Sequence, residues 1–409
     1  MRIDEKRFRA TFEALTADGR TPEGGLNRPA LSRAHLAARH SFAELIAVNG
    51  FALRTDGAGN LSAWLHCADP EAPSLVLGSH LDSVPHGGRF DGALGVAAAF
   101  EVLLSLRDSG KRLSTNIEVI DFTDEEGTWV SLLGSRAVSG QILARDLDKP
   151  RGNPEGFEEA LARAGLTKAG ILGASRVDEA FRAYLELHIE QGERLESSGT
   201  DIGVVSGMVG IFMYLVTFRG TASHAGTTPV KRRRDAAQGA SAFALQVRQI
   251  VLKHFPDCVA NVGNMTFAPG LYNVVAHSAT CFLELRSSEG ARARQLETAL
   301  DKAAVYSAKR FGLTVDFKFL EAVEPRKMDF GIQHTFRTAA ESLGLTTRTL
   351  PSMAGHDAQN MALLCPAGLA FVPSAGGYSH SAREYTSWNS CVNGCQVLLE
   401  TACRLLVSS

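Results

Sequence analysis

The first half of the chain alternates between short apolar runs and longer amphipathic stretches. The apolar segments SLVLGSH, NIEVIDF and AYLELHIE predict strands, and the segment DGALGVAAAFEVLLSL between the first two predicts a helix. An amphipathic stretch from Leu31 to Asn49 predicts a further helix, which Ser32 can cap and Gly50 can end. Strands that alternate with helices in this way predict an α/β sheet covered on both faces.

The pattern changes between about residue 205 and residue 322. Here the predicted order is strand, helix, strand, strand, helix, strand, which is typical of a small open-faced sandwich. After it the earlier pattern returns with the strand GLAFVPS and a last helix. We therefore predict an α/β catalytic domain with a mixed sheet, discontinuous over residues 1–204 and 323–409. An α+β lid domain, residues 205–322, is inserted into it.

Five residues with metal-binding side chains occupy equivalent places in this pattern of strands and helices. Each follows a predicted strand or stands where the next helix begins: His80, Asp91, Glu126, His188 and His380. Ligands bind at the carboxyl ends of the strands in an open α/β sheet, so these distant residues have a common meeting place. Taken alone, His80 could be an ordinary buried histidine and Asp91 a helix N-cap. The complete set favours a metal site.

Three neighbours are candidates for supporting roles. Asp82 can accept the second ring N–H of His80, and Glu384 can orient His380. Gln191 follows His188 within reach of a bound substrate.

Glu125 and Glu126 stand together directly after the strand NIEVIDF. Adjacent side chains of an extended backbone point in opposite directions, so one can bind a metal while the other faces a water molecule. Successive acidic residues in a loop are often only solvated. Their position after a fully apolar strand favours a role in the site.

Three histidines and two carboxylates form a mixed nitrogen and oxygen donor set. Such a set suits Zn²⁺, Mn²⁺, Co²⁺ or Ni²⁺ rather than Ca²⁺ or an iron–sulfur cluster. Because Asp91 can bridge, we expect two divalent ions per subunit, either Zn²⁺ or Mn²⁺, with Co²⁺ and Ni²⁺ as alternatives. The physiological metal stays open.

Composition mainly excludes classes of partner. A formal net charge of -2 provides no basic field for nucleic acid or an anionic membrane, and we expect the basic run at 231–234 to be a solvated face. No apolar run approaches the roughly 20 residues of a membrane-spanning helix. The seven cysteines are scattered without a CxxC pair, which indicates reduced thiols. We expect a cytoplasmic protein that acts on a small molecule.

Longer motifs then establish a family resemblance that runs nearly from end to end. The motifs are GGLNRPALS, GSHLDSVPHGGRFDGALGV, DFTDEEG with LLGSRAVSG, LELHIEQGERLE, TASHAGTTPVKRRRDA, NVVA with ELRSS, AGHDAQNMA and GYSHSAREYTSW. The chain resembles the hydantoinase/carbamoylase branch of the M20 metallopeptidase-like amidohydrolases. That branch includes N-carbamoyl-L-amino acid hydrolases, β-ureidopropionases and allantoate amidohydrolases.

The resemblance implies a role for each candidate. Asp91 would bridge two metal sites, and Glu125 would be the catalytic base. The residues that complete the two sites would be His80 and His188 together with Glu126 and His380. The residues that face the substrate would be Gln191, His224, Asn273 and Arg286. The resemblance also implies a homodimer through the lid domain, and whether His224 and Asn273 act in cis or across the dimer stays open.

The implied reaction is hydrolysis of an N-carbamoyl or related amide of a small carboxylate, with release of the amine, carbon dioxide and ammonia. Glu125 would take a proton from water and return it to the leaving amine. His224 would stabilise the oxyanion, and Arg286 would hold the substrate carboxylate with two parallel hydrogen bonds. Alternatives are an allantoate amidohydrolase, an M20-type aminoacylase or peptidase, and an inactive metal-binding scaffold.

The sequence also departs from the family pattern. His86 stands where asparagine is expected, Glu193 stands where proline is usual, and residues 128–132 differ from the common text. These departures leave the exact substrate open.

Overall fold

The computed structural model describes residues 1–407, which form two compact units. The first unit contains Met1–Ser206 and the chain from Lys327 onwards, and the second contains Gly207–Arg326. We predicted the inserted domain at 205–322, and its independence as a folding domain stays a prediction. No helix within the described residues combines the length and the apolar character needed to cross a membrane.

The helices and strands alternate along most of the chain. The strands are β1 Ala52–Thr55, β2 Leu61–Leu65, β3 Ser74–His80, β4 Asn116–Phe122, β5 Phe181–Ile189, β6 Ile202–Met208, β7 Gly210–Arg219, β8 Ser223–His224, β9 Val259–Ala268, β10 Val274–Val275, β11 Ser278–Ser287, β12 Thr314–Val323, β13 Arg326–Lys327, β14 Thr347–Ser352 and β15 Ala367–Val372. The α-helices are α1 Glu5–Leu15, α2 Arg33–Val48, α3 Ala93–Asp108, α4 Leu133–Val138, α5 Ala144–Asp148, α6 Pro154–Ala164, α7 Lys168–Leu172, α8 Arg194–Ser198, α9 Ala236–His254, α10 Gly290–Arg310, α11 Phe330–Ser342, α12 Ala358–Met361 and α13 Trp388–Val407. Single 3₁₀ turns occupy Val230–Arg232 and Ala375–Gly377.

The first unit is organised by a mixed sheet of order β1-β2-β4-β3-β5-β15-β6-β13, with β14 beside β6. Its centre, β4-β3-β5-β15, is parallel, whereas β1, β2 and β6 pair antiparallel. In the register, His80 stands opposite Phe122 and His188 stands opposite Phe371. The four parallel strands therefore end at one edge of the sheet. This arrangement confirms the predicted fold class.

The central strands are buried because helices cover both faces of the sheet. Strands β3, β4 and β15 are buried along their whole length, as expected for parallel strands between two layers. One layer packs aromatic side chains such as Phe42 and Phe100 against the sheet. A separate cluster from α4 to α7 includes Phe157 and Ile171. The sheet edge that carries the site is thus built on a rigid core.

The second unit is an antiparallel sheet of order β12-β7-β11-β9. Alternate residues of β11, such as Cys281 and Leu283, are buried and form a core with Phe243 of α9 and Leu300 of α10. The short strands β8 and β10 pair with each other. This is the strand–helix–strand–strand–helix–strand order that the sequence predicts, and it confirms the α+β sandwich.

Candidate metal centre

The five predicted metal ligands lie at the edge where β3, β4, β5 and β15 end. His80 is the last residue of β3, and His188 is the next to last residue of β5. Glu126 lies in the loop after β4, His380 lies in the loop after β15, and Asp91 directly precedes the N-cap of α3. The topology therefore brings together residues that are up to 300 positions apart, from His80 to His380.

Two groups of three donors share Asp91. His80, Asp91 and His188 form the first group, and Asp91, Glu126 and His380 form the second, with the donor atoms of each group within 4.8 Å of one another. In the first group, Asp91 Oδ1 lies 3.1 Å from His188 Nε2 and 3.5 Å from His80 Nε2. In the second, His380 Nε2 lies 3.2 Å from Glu126 Oε2 and 3.5 Å from Asp91 Oδ2. Asp91 thus offers one oxygen to each group.

The donor set fits divalent cations. Imidazole nitrogens and carboxylate oxygens are the ligands that Zn²⁺ and similar ions prefer. Glu126 Oε1 is buried without a hydrogen-bond partner, and a buried carboxylate oxygen without a partner is unfavourable. A cation held by Glu126 and Asp91 would satisfy it. The residues at this edge are therefore suited to hold the metal ions that the sequence predicts.

Glu125 lies beside the two groups and belongs to neither. Its Oε2 is 3.6 Å from His80 Nε2, and its side chain is buried. Burial raises the pKa of Glu125 well above its usual value, and the nearby Asp357 and Glu126 carboxylates raise it further, against the opposing effect of His80. A raised pKa makes a carboxylate a better proton acceptor, as general base catalysis requires.

The electrostatic environment of Asp91 shifts its pKa in the opposite direction from that of Glu125. Burial alone would raise its pKa, but the imidazoles of His188 and His80 hold the pKa of Asp91 well below its usual value. Asp91 is therefore ionised at neutral pH, as a bridging ligand must be.

Asp82 has a different role from the one predicted. The ring Nδ1 of His80 lies 3.1 Å from the backbone oxygen of Asp82 and 3.8 Å from its carboxylate, so the backbone oxygen is the closer partner. The Asp82 carboxylate accepts the backbone N–H groups of Glu125 and Glu126, at 3.3 and 3.2 Å. The difference arises because the turn after β3 directs this side chain towards the loop after β4.

Glu384 also differs from its prediction. Its Oε1 accepts the backbone N–H groups of Phe90 and Asp91, at 2.8 and 3.0 Å, and its Oε2 accepts the hydroxyl of Ser379. These bonds orient Asp91 instead of His380. Glycine at position 88 makes the approach possible, because a Cβ there would lie 2.0 Å from the Glu384 carboxyl group.

Gln191 reaches the centre directly. Its backbone has a positive φ of 58°, and its Nε2 donates to Asp91 Oδ2 at 2.7 Å. The hydroxyl oxygen of Ser379 lies 3.0 Å from the same oxygen. The Oε1 of Gln191 is buried without a partner. The side chain of Gln191 therefore lies beside the candidate ligands. There its amide could exchange the hydrogen bond to Asp91 for one to a carbonyl or amide group of a substrate.

The other predicted substrate residues belong to the second unit. His224 on β8 pairs with Val274 on β10, and the backbone oxygen of Asn273 accepts the N–H of Ala225, so His224 and Asn273 lie close together. His224 Nδ1 accepts two backbone N–H groups, which places the ring proton on Nε2 in the neutral form. Arg286 lies on β11 and forms an ion pair with Glu284 at 2.7 Å.

Sequence reasoning assigned no role to His356 and Asp357, although AGHDAQNMA was among the motifs. Both residues are buried in the first unit. The ring of His356 lies 4.5 Å from that of His188 at an angle of 64°, and its Nε2 is 2.9 Å from Ser352 Oγ. The signal that could have indicated a role was the pair of adjacent titratable residues, His356 and Asp357, after β14. His356 packs against a candidate metal ligand and restricts its orientation.

Comparison with known proteins gives consistent results. The model of peptidase family M20/M25/M40 matches residues 76–404. An N-carbamoyl-L-amino acid amidohydrolase of Geobacillus stearothermophilus is 33% identical over 98% of this chain and 99% of that protein. A ureidoglycolate hydrolase of Arabidopsis thaliana is 31% identical over 98% of this chain and 87% of that protein. The structure of an amidase of the hydantoinase/carbamoylase family from Burkholderia multivorans superposes with a TM-score of 0.90 at 32% identity, covering 99% of this chain and 98% of that one.

Proposed function

This chain belongs to peptidase family M20/M25/M40, and from that premise we propose that it is an amidohydrolase with two metal ions per subunit. Its substrate is an N-carbamoyl amide of a small carboxylate, such as an N-carbamoyl-L-amino acid, and its products are the amine, carbon dioxide and ammonia. The observation that carries the proposal is that Asp91 is shared by two donor groups while Glu125 stands beside them outside both. Relatives named N-carbamoyl-L-amino acid amidohydrolase support the choice of substrate.

The metal ligands in this proposal are the five residues at the sheet edge. His80 and His188 would hold one ion and Glu126 and His380 the other, and Asp91 would contribute to both groups. We propose Zn²⁺ or Mn²⁺, with Co²⁺ and Ni²⁺ as further candidates for the same donors. Bound at these residues, such ions would supply Lewis-acid chemistry for the scissile carbonyl and for water.

The protein side chains move the protons. Glu125 takes a proton from the attacking water and passes it to the nitrogen of the leaving amine, so one carboxylate serves first as base and then as acid. The Nε2–H of His224 donates a hydrogen bond to the oxyanion that develops on the carbonyl oxygen. Gln191 and Asn273 contact the substrate through their amides.

Arg286 recognises the carboxylate of the substrate. A guanidinium can donate two parallel hydrogen bonds to a carboxylate, which a lysine cannot do. Glu284 pairs with the Nε of Arg286 and so fixes the plane of the guanidinium. A contact of this kind favours an amino acid derivative over a simple urea as the substrate.

A panel of substrates tests the proposal. We expect the metal-loaded protein to release ammonia from N-carbamoyl-L-amino acids and to lose this activity after treatment with a chelator. Ureidoglycolate is included because of the Arabidopsis relative, and allantoate because the family resemblance leaves it as an alternative. N-acetyl amino acids and dipeptides complete the panel. Release of amino acids from these compounds, without ammonia from any ureido compound, would indicate an aminoacylase or peptidase. No turnover of any substrate by protein with two bound ions would indicate a scaffold.

We also propose that two copies associate through the second unit. Strand β9 stands at the edge of its sheet and is ten residues long, and an edge of this length offers unpaired backbone groups to another strand. Leu245 and Leu252 on α9 are 70% and 62% exposed. Apolar side chains seven positions apart on one helix face form a stripe that a second copy can cover.

The homodimer is tested by the mass in solution. Light scattering after size exclusion is expected to give a dimer for the wild type and a monomer for Leu245→Glu with Leu252→Glu. The control is Val48→Glu, because Val48 is 78% exposed in the first unit and should leave the dimer intact. A monomeric wild type at micromolar concentration would rule the proposed interface out.

A further inference from the structure

The loop after β4 is closed by one buried carboxylate. Asp124 is fully buried, and its Oδ1 accepts the N–H of Thr128 at 2.6 Å. Its Oδ2 accepts the N–H groups of Trp129 and Val130, at 3.0 and 2.8 Å. One side chain thus satisfies three successive backbone donors. The turn that it closes begins directly after Glu125 and Glu126.

The same turn is held from the outside by the segment that contains GGLNRPALS. The N–H of Ala30 donates to Thr128 Oγ1 at 3.0 Å, and the indole N–H of Trp129 donates to the backbone oxygen of Ala30 at 3.1 Å. The ring of Trp129 packs against Phe157, with ring centroids 5.6 Å apart. Neither this segment nor Asp124 has a place in the proposed reaction. Their contacts converge on the loop that carries its base.

The backbone conformation at Asp124 links the closed turn to the orientation of Glu125 and Glu126 in the site. Asp124 has a φ of 56°, a left-handed conformation that aspartate and asparagine adopt more readily than most residues. The reversal at this residue sets the directions in which Glu125 and Glu126 leave the strand. Their N–H groups then donate to Asp82, so the pair is fixed on both sides.

We infer that Asp124 is a positioning residue for the proposed reaction. By closing the turn at 128–130, it directs Glu126 into the donor group with Asp91 and His380 and keeps Glu125 outside it. This inference rests on the proposed function, because only that function gives the two glutamates separate tasks. Asp124 itself touches neither substrate nor metal ligands; it acts through the backbone.

Asparagine at this position tests the inference. An amide has one acceptor oxygen, and its NH₂ group would face a backbone N–H, so Asp124→Asn cannot satisfy the three donors. We expect the second donor group to bind metal about 10- to 100-fold more weakly, as for the loss of other groups that orient metal ligands. The first group, His80 with Asp91 and His188, should retain its ion. The kcat should fall by about the same factor, with KM changed less than about twofold.

A spectroscopic readout is independent of activity. In a background in which Trp64 and Trp388 are phenylalanine, Trp129 is the remaining tryptophan. Because Asp124 binds its backbone N–H, we expect Asp124→Asn to increase the quenching of Trp129 fluorescence by acrylamide. The control is Asp329→Asn, since Asp329 caps α11 by accepting the N–H of Ile332, a bond that asparagine can also make. It should change neither fluorescence nor metal binding.

The outcomes separate this inference from the function. Wild-type metal affinity and kcat in Asp124→Asn would overturn the positioning role even if ammonia release confirms the proposed function. A wild type that binds no ions and releases no ammonia would overturn the function, and the inference with it. If Asp124→Asn does not fold, Asp124→Gly takes its place, because glycine adopts a positive φ without strain. Failure of both to fold would make Asp124 a folding residue and overturn the inference.

Discussion

Replacement of Glu125 by glutamine is expected to lower kcat about a thousandfold while the metal content stays at the wild-type level. General acid–base catalysis by a positioned side chain contributes about 10²- to 10⁴-fold to a rate, and an amide can neither accept nor return the proton. Metal binding should survive because Glu125 belongs to neither donor group and glutamine has nearly the same shape. Turnover of an N-carbamoyl-L-amino acid and elemental analysis measure the two quantities on the same sample.

The matched control is Glu126→Gln, one residue further along the same loop. Glu126 belongs to the second donor group, so this variant should lose metal as well as activity. A Glu125→Gln protein that retains more than about a tenth of the wild-type kcat would remove Glu125 from the mechanism. A Glu125→Gln protein that loses its metal would instead make Glu125 a ligand.

The candidate ligands could be assigned to one place from the sequence because their location follows from topology. The predicted strands SLVLGSH and NIEVIDF coincide with β3 and β4 to the residue. Fully buried parallel strands leave a clear apolar signal, and the residues that follow them must appear at one edge of the sheet. His80 and Glu126 could therefore be assigned to one place before any contact was known.

The finer contacts could not be predicted, because they depend on atoms that loops bring together over long distances. Glu384 accepts the N–H of Asp91 across 293 positions, and no local pattern connects the two. Asp82 is only two positions from its predicted partner His80, yet its carboxylate binds the loop after β4. Asp124 was assigned no role from the sequence, and it is fully buried with its carboxylate bound to three backbone N–H groups. In each case the backbone conformation of a loop decided the partner.

Metal uptake by the group of Asp91, Glu126 and His380 is expected to strengthen about 100-fold between pH 6.5 and pH 8.5. The ion pair with Glu126 raises the pKa of His380 to about 9, against the lowering effect of its partial burial. An imidazole binds metal only when it is neutral, so the ion must displace a proton at every pH below about 9, and affinity rises about tenfold per pH unit. Calorimetric titrations of the metal-free protein in buffers of different ionisation enthalpy measure both the affinity and the proton released.

The sign of the shift also fixes the behaviour of the metal-free protein. The pKa of His380 is higher in the folded chain than the usual 6.5. The ion pair between His380 and Glu126 therefore contributes its full stabilisation below pH 6.5. This stabilisation is lost as the pH rises through about 9. The NMR titration of the His380 ring should therefore have a midpoint near 9, and Glu126→Gln should move it down towards 6.5, because the carboxylate that holds the proton is gone. A wild-type midpoint near 6.5, or a metal affinity that does not change between pH 6.5 and pH 8.5, would contradict the arrangement of Glu126 and His380 as partners. Agreement would mean that the metal ion replaces a proton between these two side chains.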